Sequence, residues 1–194
     1  MVRMPLSVVF ITCIFFTKFI ALIIFGNLYD FPDPYFVYGH DESFMHSQAK
    51  TLLGYFNSHG IWYTFFNSQN LIATYNTIWP LTMALIFKLN HNILYVLIFK
   101  IIVFSVSSFH FFKISYFFTK SKKFAYLSLL FISIYPPLNI YMFSILRDDF
   151  IFCLFTSSIY FALIFRENKT FRHILFSIII LLIMLSLRIH AGFV

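Results

Sequence analysis

The sequence predicts an all-α integral membrane protein that crosses the bilayer about five times, because the chain is very apolar, poor in charge and built of long hydrophobic runs. Of its 194 residues, 60% are hydrophobic, 23% are aromatic and 11% are charged. An ordinary soluble domain carries about 25% charged residues. A transmembrane helix needs about 20 apolar residues, so the chain has room for about five spans and their connections, and not for a further large soluble domain.

The distribution of charge argues against nucleic acid as a partner. The formal net charge is +7, but the basic residues are scattered between apolar runs or confined to short connections and form no basic face. Positive residues in such connections are typical of the cytoplasmic side of a membrane protein. The two cysteines, Cys13 and Cys153, lie in apolar runs without CxxC or Cys/His spacing, so we predict neither a disulfide nor a metal ligand nor a nucleophile.

The first apolar run follows Arg3 and ends without a small-residue cleavage site, which predicts a retained signal anchor. Lys18 falls inside this run, where a charge is costly, so we expect it to snorkel toward the outer end or to pair with a lipid phosphate. A polar loop rich in turn residues follows this run. The predicted spans lie near 5–26, 93–118, 124–145, 150–165 and 174–194, and residues 27–92 form an outer loop.

Two segments of this loop predict interfacial helices. Between Met45 and Phe56, apolar residues recur at helical spacing and polar residues take the other face, which is typical of a helix along a membrane surface. Ile78–Leu89 is apolar but about a dozen residues long and contains Pro80, so we predict that it does not span. Both later basic connections then face inside with the N-terminus, as expected in the inner membrane of a bacterium.

Several charged groups from separate parts of the chain reach the same outer boundary in this topology. Because each is costly in lipid, their convergence is typical of a site at the membrane surface. The candidate site residues are Asp41 and Glu42 in the outer loop, Lys100 early in the second span, Arg147, Asp148 and Asp149 before the fourth span, and Arg188 and His190 late in the last run.

Each of these groups also has a structural interpretation. Asp41 could accept a hydrogen bond from the amide of Phe44 and cap the following helix, which is worth about 1 kcal/mol. The acidic residues before the fourth span could form an ion-paired turn with Arg147 and complement the positive end of the next helix. Arg188 and His190 could anchor a helix end at the interface, and Lys100 could snorkel toward the headgroups.

The segment Gly39-His-Asp-Glu-Ser-Phe-Met-His-Ser-Gln-Ala49 resembles the acidic first outer loop of the polyprenyl-phosphate-dependent membrane glycosyltransferases of the GT-C superfamily. Protein O-mannosyltransferases and lipid A aminoarabinose transferases represent this family. The order of features is also similar: an interfacial helix, a short segment beginning at Trp79-Pro80, and a span with a basic residue, Lys100, near its outer start. A weaker similarity covers Pro136-Pro137 and the later Arg147 and Asp148.

This resemblance implies the transfer of a sugar from a polyprenyl-phosphate donor to a glycan, lipid or protein acceptor at the outer face. It assigns the role of base to Asp41, with Glu42 beside it. An acceptor hydroxyl must lose its proton as it attacks the anomeric carbon, and basic groups must stabilise the departing lipid phosphate. Lys100, Arg147 and Arg188 are the basic candidates.

The chain departs from the family in three respects. Family members have many more spans, so we expect this chain to be the N-terminal part of a longer or split protein. Phe44 replaces the more usual Tyr, which leaves the mechanism intact. Lys100 stands where Arg is commoner, which weakens two-point recognition of a phosphate.

Other functions remain open at this stage. The chain could be an envelope protein similar to a polysaccharide polymerase, or a non-catalytic or truncated membrane component. No cofactor is predicted. A divalent metal held by His40, Asp41, Glu42 and His46 is conceivable, but the spacing matches no metal-binding motif.

Overall fold

The structure, a computed structural model, describes residues 6–28, 40–72, 77–136 and 147–188. These ranges contain eight α-helices and no β-strand, in agreement with the predicted all-α class. The helices are α1 (Leu6–Leu28), α2 (His40–His59), α3 (Ile61–Ile72), α4 (Ile78–Leu89), α5 (Leu94–Thr119), α6 (Lys122–Ile134), α7 (Asp148–Asn168) and α8 (Phe171–Arg188).

Helix α5 lies at the centre and contacts α1, α4, α6 and α7. Its direction is parallel to α7, since Lys100 and His110 of α5 face Asp149 and Ser157 of α7 in the same order along both helices. Helix α8 packs against α7 in the opposite direction. Ser158 of α7 contacts Ser177 of α8, whereas the later residue Phe161 of α7 stacks on the earlier residue His173 of α8.

Helices α1 and α6 complete this group on the other side of α5. The ring of Tyr126 in α6 contacts both Phe10 of α1 and Phe112 of α5. Lys18, two turns further along α1, lies over the ring of Phe104. The end of α5, the start of α6, the end of α7 and the start of α8 therefore share one end of the bundle with the start of α1.

Helices α2, α3 and α4 pack beside the other end of the bundle. The predicted helix between Met45 and Phe56 is confirmed within α2, and its apolar residues, including Leu52 and Phe56, are buried. These residues pack mainly against α4, so protein and not lipid covers much of this face. Gly60, with a φ of 85°, separates α2 from α3, a helix that the sequence pattern did not predict.

Helix α4 begins and ends where the sequence predicts. Its 12 residues are about 18 Å long, well short of the roughly 30 Å of a bilayer core. Pro80 is its third residue, in the first turn, where its missing amide hydrogen removes no helical hydrogen bond. Trp79, Met83 and Phe87 are buried, so α4 is a core element of the protein.

Two of the described helices, Leu94–Thr119 and Asp148–Asn168, are long and apolar enough to cross a membrane. Three further apolar stretches, in α1, α4 and α8, are shorter. Large apolar side chains also face outward along several helices, among them Phe16, Phe131 and Phe176. Exposed apolar surface of this extent is typical of a protein that meets lipid or a partner.

Candidate functional site

The candidate site is centred on an ion pair between α5 and α7. The ammonium Nζ of Lys100 lies 3.1 Å from Oδ1 of Asp149, and both side chains are fully buried. Asp149 is the second residue of α7, so the helix end itself directs the carboxylate toward α5. The ammonium is within hydrogen-bonding distance of this carboxylate, and the backbone amide of Phe150 also acts on it.

Two more carboxylates surround the same lysine. Glu42, in the first turn of α2, is 2% exposed, and its charge acts on Lys100. Asp148 is exposed at the start of α7 and also acts on Lys100. One cation thus lies within the field of three carboxylates contributed by α2 and α7. Three carboxylates around one ammonium leave an excess of negative charge. Such an excess is costly in a low dielectric and is typical of functional sites.

Aromatic rings form the apolar wall of this site. The Lys100 ammonium lies 5.9 Å from the centre of the Trp79 ring, and that ring packs on Phe150 at 5.5 Å. Trp79 is fully buried. Helix α4 packs inward and carries this ring into the core of the protein. Trp62 and Tyr63 of α3, by contrast, are exposed.

The remaining candidate residues are described in part. Arg147 immediately precedes α7 and is half-buried, and the charge of Asp148 acts on it. Arg188 is the last residue of α8, and the antiparallel packing of α7 and α8 brings this helix end toward the Lys100 end of the bundle. The side chain of Arg188 and the whole of His190 lie outside the described residues.

Asp41 is the second residue of α2, and its side chain lies outside the described part of the chain. The prediction that Asp41 precedes and caps the helix is wrong in its boundary, because the helix already includes His40. The acidic pair therefore occupies the first turn of a helix, where negative charge complements the helix dipole. Glu42 is the member of the pair whose placement beside Lys100 the structure describes.

Lys18 has a partner that the sequence did not predict. Its ammonium donates a hydrogen bond of 2.8 Å to the backbone carbonyl of Ser133 in α6, and it lies over the ring of Phe104. The carbonyl is near the end of α6, where helical partners are lacking. This backbone contact gives the Lys18 ammonium a partner within the protein.

A row of buried polar groups leads away from the ion pair along the interface of α5 and α7. Ser107 and Ser157 both hydrogen bond to Cys153, one turn beyond Asp149. Ser157 is also 2.8 Å from Nδ1 of His110. Sequence reasoning missed this row because single serines in an apolar helix carry no motif. Their spacing of one helical turn on facing helices was the available signal.

In the part of the chain that the structure describes, no three His, Cys, Asp or Glu side chains come together to form a metal site. His46, one of the conceivable ligands, packs edge-on against the ring of Phe87 at 5.5 Å. Burial, with a smaller contribution from Lys50, lowers the pKa of His46 below its usual value.

The fold and this cluster define an all-α protein with two helices able to cross a membrane and a buried, acid-rich site at one end of its bundle. Comparison of the chain with known protein families, curated proteins and solved structures finds no match. The similarity of the acidic loop to GT-C glycosyltransferases therefore stays a prediction.

Proposed function

We propose that this protein takes part in sugar transfer from a polyprenyl-phosphate donor at the outer face of a bacterial inner membrane. The observation that carries the proposal is the burial of Lys100 among Asp149, Asp148 and Glu42 at one end of the bundle. Charged groups from three separate parts of the chain meet there, as a reaction at the membrane surface requires.

The orientation rests on the charges at the two ends of the bundle. Lys120 lies in the connection after α5, Lys169 lies in the connection after α7, and Lys122 and Lys123 begin α6 at the same end of the bundle. Positive connections favour the cytoplasm, so the Lys100 end faces outward. This is the side on which a lipid-linked sugar would meet an external acceptor.

The chemistry assigns a base and a cation to the two sides of the reacting carbon. Asp41 takes the proton from a hydroxyl group of the acceptor while the oxygen of that hydroxyl forms a bond to the anomeric carbon of the sugar. The bond from that carbon to the phosphate oxygen breaks, and the lipid phosphate leaves with its negative charge. Lys100 stabilises this charge, while Asp149 and Glu42 hold the ammonium in position.

The burial of Lys100 places a condition on this mechanism. A fully buried ammonium touches a donor phosphate only when the phosphate enters the cluster and competes with Asp149 for it. Such an exchange breaks the 3.1 Å contact between Lys100 and Asp149, so the attraction between the ammonium and the phosphate must outweigh that contact. Arg147, half-buried next to Asp148, lies closer to solvent than Lys100 does.

A transfer assay on membranes containing the full chain tests the proposal. Polyprenyl-phosphate-linked mannose and aminoarabinose are offered separately, and transferred label is measured. Asp41→Asn should lower transfer about 100-fold or more, the usual contribution of a general base. Glu42→Gln should lower it less, because it changes only the field around Lys100.

The matched control is Asp33→Asn, which removes an acid of the same loop outside the acidic pair and should leave transfer unchanged. Protein level and membrane insertion should be equal in all three variants. Transfer by Asp41→Asn at the rate of the unchanged chain would overturn the assignment of the base.

A non-catalytic role for the same cluster is the second candidate, and the closeness of the Lys100–Asp149 pair favours it. A buried ion pair can fix the register of two helices without any reaction. The two candidates differ in what a neutral replacement of both partners would do, as described in the Discussion.

A further inference from the structure

We infer that the opposite end of the bundle holds a binding site for the phosphate headgroup of an anionic lipid, between the last turns of α5 and α7. This inference does not depend on the proposed function. A cavity of about 250 Å³ opens there. Lys113 and Lys120 of α5, Tyr116 and Tyr160, and Glu167 of α7 line it, together with apolar side chains.

Both lysines of the cavity are available to a ligand. Neither forms an ion pair within the described residues, and each ammonium instead rests on an aromatic ring. Lys113 lies 5.4 Å from the centre of the Phe109 ring, and Lys120 lies 4.4 Å from that of Phe117. These contacts hold the cations in place and leave their hydrogen-bond donors unused.

The backbone adds a second observation. Lys120 adopts the left-handed conformation, with a φ of 52°, where its amide closes α5 on the carbonyl of Tyr116 at 2.8 Å. Glycine is the usual residue at this position, and a lysine there costs on the order of 1 kcal/mol. The residue that closes α5 therefore places a cation at the mouth of the cavity.

The chemistry of the lining identifies the class of ligand. Two ammonium groups and two phenolic hydroxyls supply donors to phosphate oxygens, and apolar walls suit the adjoining glycerol and acyl chain. The rings of Phe118 and Phe171 at the same end are exposed, and they provide apolar surface for the acyl chains of a bound lipid. Basic pockets between spans on the cytoplasmic side bind anionic lipids in this way.

The negative charge of Glu167 disfavours an anion in the same cavity. Removing this charge therefore tests whether the ligand of the cavity is an anion. The carboxylate of Glu167 repels phosphate, as do the carbonyl ends of α5 and α7, so the lysines must outweigh both. Removing the charge of Glu167 should strengthen lipid binding. If the lysines served only to neutralise the carbonyl ends of the two helices, lipid binding would not become stronger.

The experiment is native mass spectrometry of the purified full chain, titrated separately with phosphatidylglycerol, phosphatidylcholine and inorganic phosphate. We expect selective retention of phosphatidylglycerol. The double variant Lys113→Gln/Lys120→Gln should bind it roughly 30-fold more weakly, from about fivefold per lysine near a membrane surface. Glu167→Gln should bind it several-fold more tightly.

The matched control is Lys122→Gln/Lys123→Gln, which removes the same charge from exposed positions at the start of α6, outside the cavity. This control should retain the affinity of the unchanged chain, and circular dichroism should show equal helix content in every variant. Equal losses in both double variants, or equal retention of phosphatidylcholine, would overturn the site. Retention of inorganic phosphate as strong as that of the lipid would overturn the lipid as its ligand.

Discussion

At the scale of single residues, the charge on Lys100 is the feature that most constrains the protein. Its ammonium has lost all contact with water, and removal of an ion from water costs several kcal/mol before any partner is counted. Asp149 offsets this cost at a distance of 3.1 Å, and Trp79 contributes its electron-rich face. The charges of Asp148 and Glu42 add further attraction.

Substitution of one partner should therefore be far worse than substitution of both. Lys100→Met leaves the Asp149 carboxylate buried without a cation and should destabilise the protein by about 3 to 5 kcal/mol. Lys100→Met/Asp149→Leu should recover most of that loss. Unfolding by sodium dodecyl sulfate, followed through circular dichroism, measures both changes.

The double variant also separates the two candidate functions. A well-folded double variant without sugar transfer assigns the pair to the reaction, whereas one with full transfer assigns it to helix register alone. Single and double variants of equal stability would contradict the electrostatic account of this pair.

At the scale of elements, α7 and α8 are joined by a reciprocal pair of serines. Ser177 donates to the carbonyl of Ser158 at 2.9 Å, Ser158 donates to that of Ser177 at 3.2 Å, and the two hydroxyls are 3.1 Å apart. Both serines are buried. Small residues permit this close approach of two backbones, which is the usual basis of helix association in membranes.

Ser177→Val should weaken this helix pair, because it removes the shared hydroxyls and adds volume where the backbones approach. Each interhelical hydrogen bond contributes about 0.6 kcal/mol in a membrane, so we expect a loss on the order of 1 to 2 kcal/mol including the steric effect. The free energy of unfolding in detergent is the measurement.

Ser128→Val is the matched control for this change. Among the described residues, the Ser128 hydroxyl bonds to the carbonyl of Phe124 in its own helix and to no other helix, and its loss should change stability little. A Ser177→Val protein as stable as the control would show that the two backbones can adapt to the larger side chain.

Elements were easier to predict from the sequence than contacts. Ile78–Leu89 and the amphipathic pattern after Met45 gave correct helices, since apolar spacing determines them locally. Helix α7 continues through Arg166 and ends with Lys169 in the left-handed conformation, so it is longer than the predicted span of 150–165. Polar residues at that helix end concealed its true boundary.

The contacts depend on rotation about each helix axis, which apolar runs without a polar face do not fix. Lys100 and Asp149 could be placed at similar depth from the sequence, but their pairing could not. The carbonyl acceptor of Lys18 carries no side-chain signal at all. The burial of Trp79 follows from the docking of α4, which hydropathy alone does not predict.

At the scale of the whole molecule, α1, α6 and α8 are antiparallel to α5 and α7. The carboxylates around Lys100 lie at one end of the bundle, the acidic end, and the lysines around the cavity lie at the other, the basic end. We predict that the acidic end faces outward. In a chain carrying Cys13→Ser and Cys153→Ala, a cysteine at exposed Ser58 should react with a membrane-impermeant maleimide in intact cells. A cysteine at exposed Thr170 should react only after permeabilisation.

The two positions act as controls for each other because both are exposed and both adjoin a helix end. Labelling of Thr170 in intact cells, with protection of Ser58, would reverse the orientation and move the acidic end to the cytoplasm. The proposed transfer at the outer face would then be excluded.

The shortness of α4 also constrains the order in which the protein is assembled. A helix of 12 residues gains too little from lipid to insert by itself, and Trp79, Met83 and Phe87 find their apolar surroundings in other helices. During synthesis, α4 emerges before α5, the central helix that it contacts. Docking of α4 must therefore wait until α5 has been synthesised, which makes closure around Lys100 a late step in biogenesis.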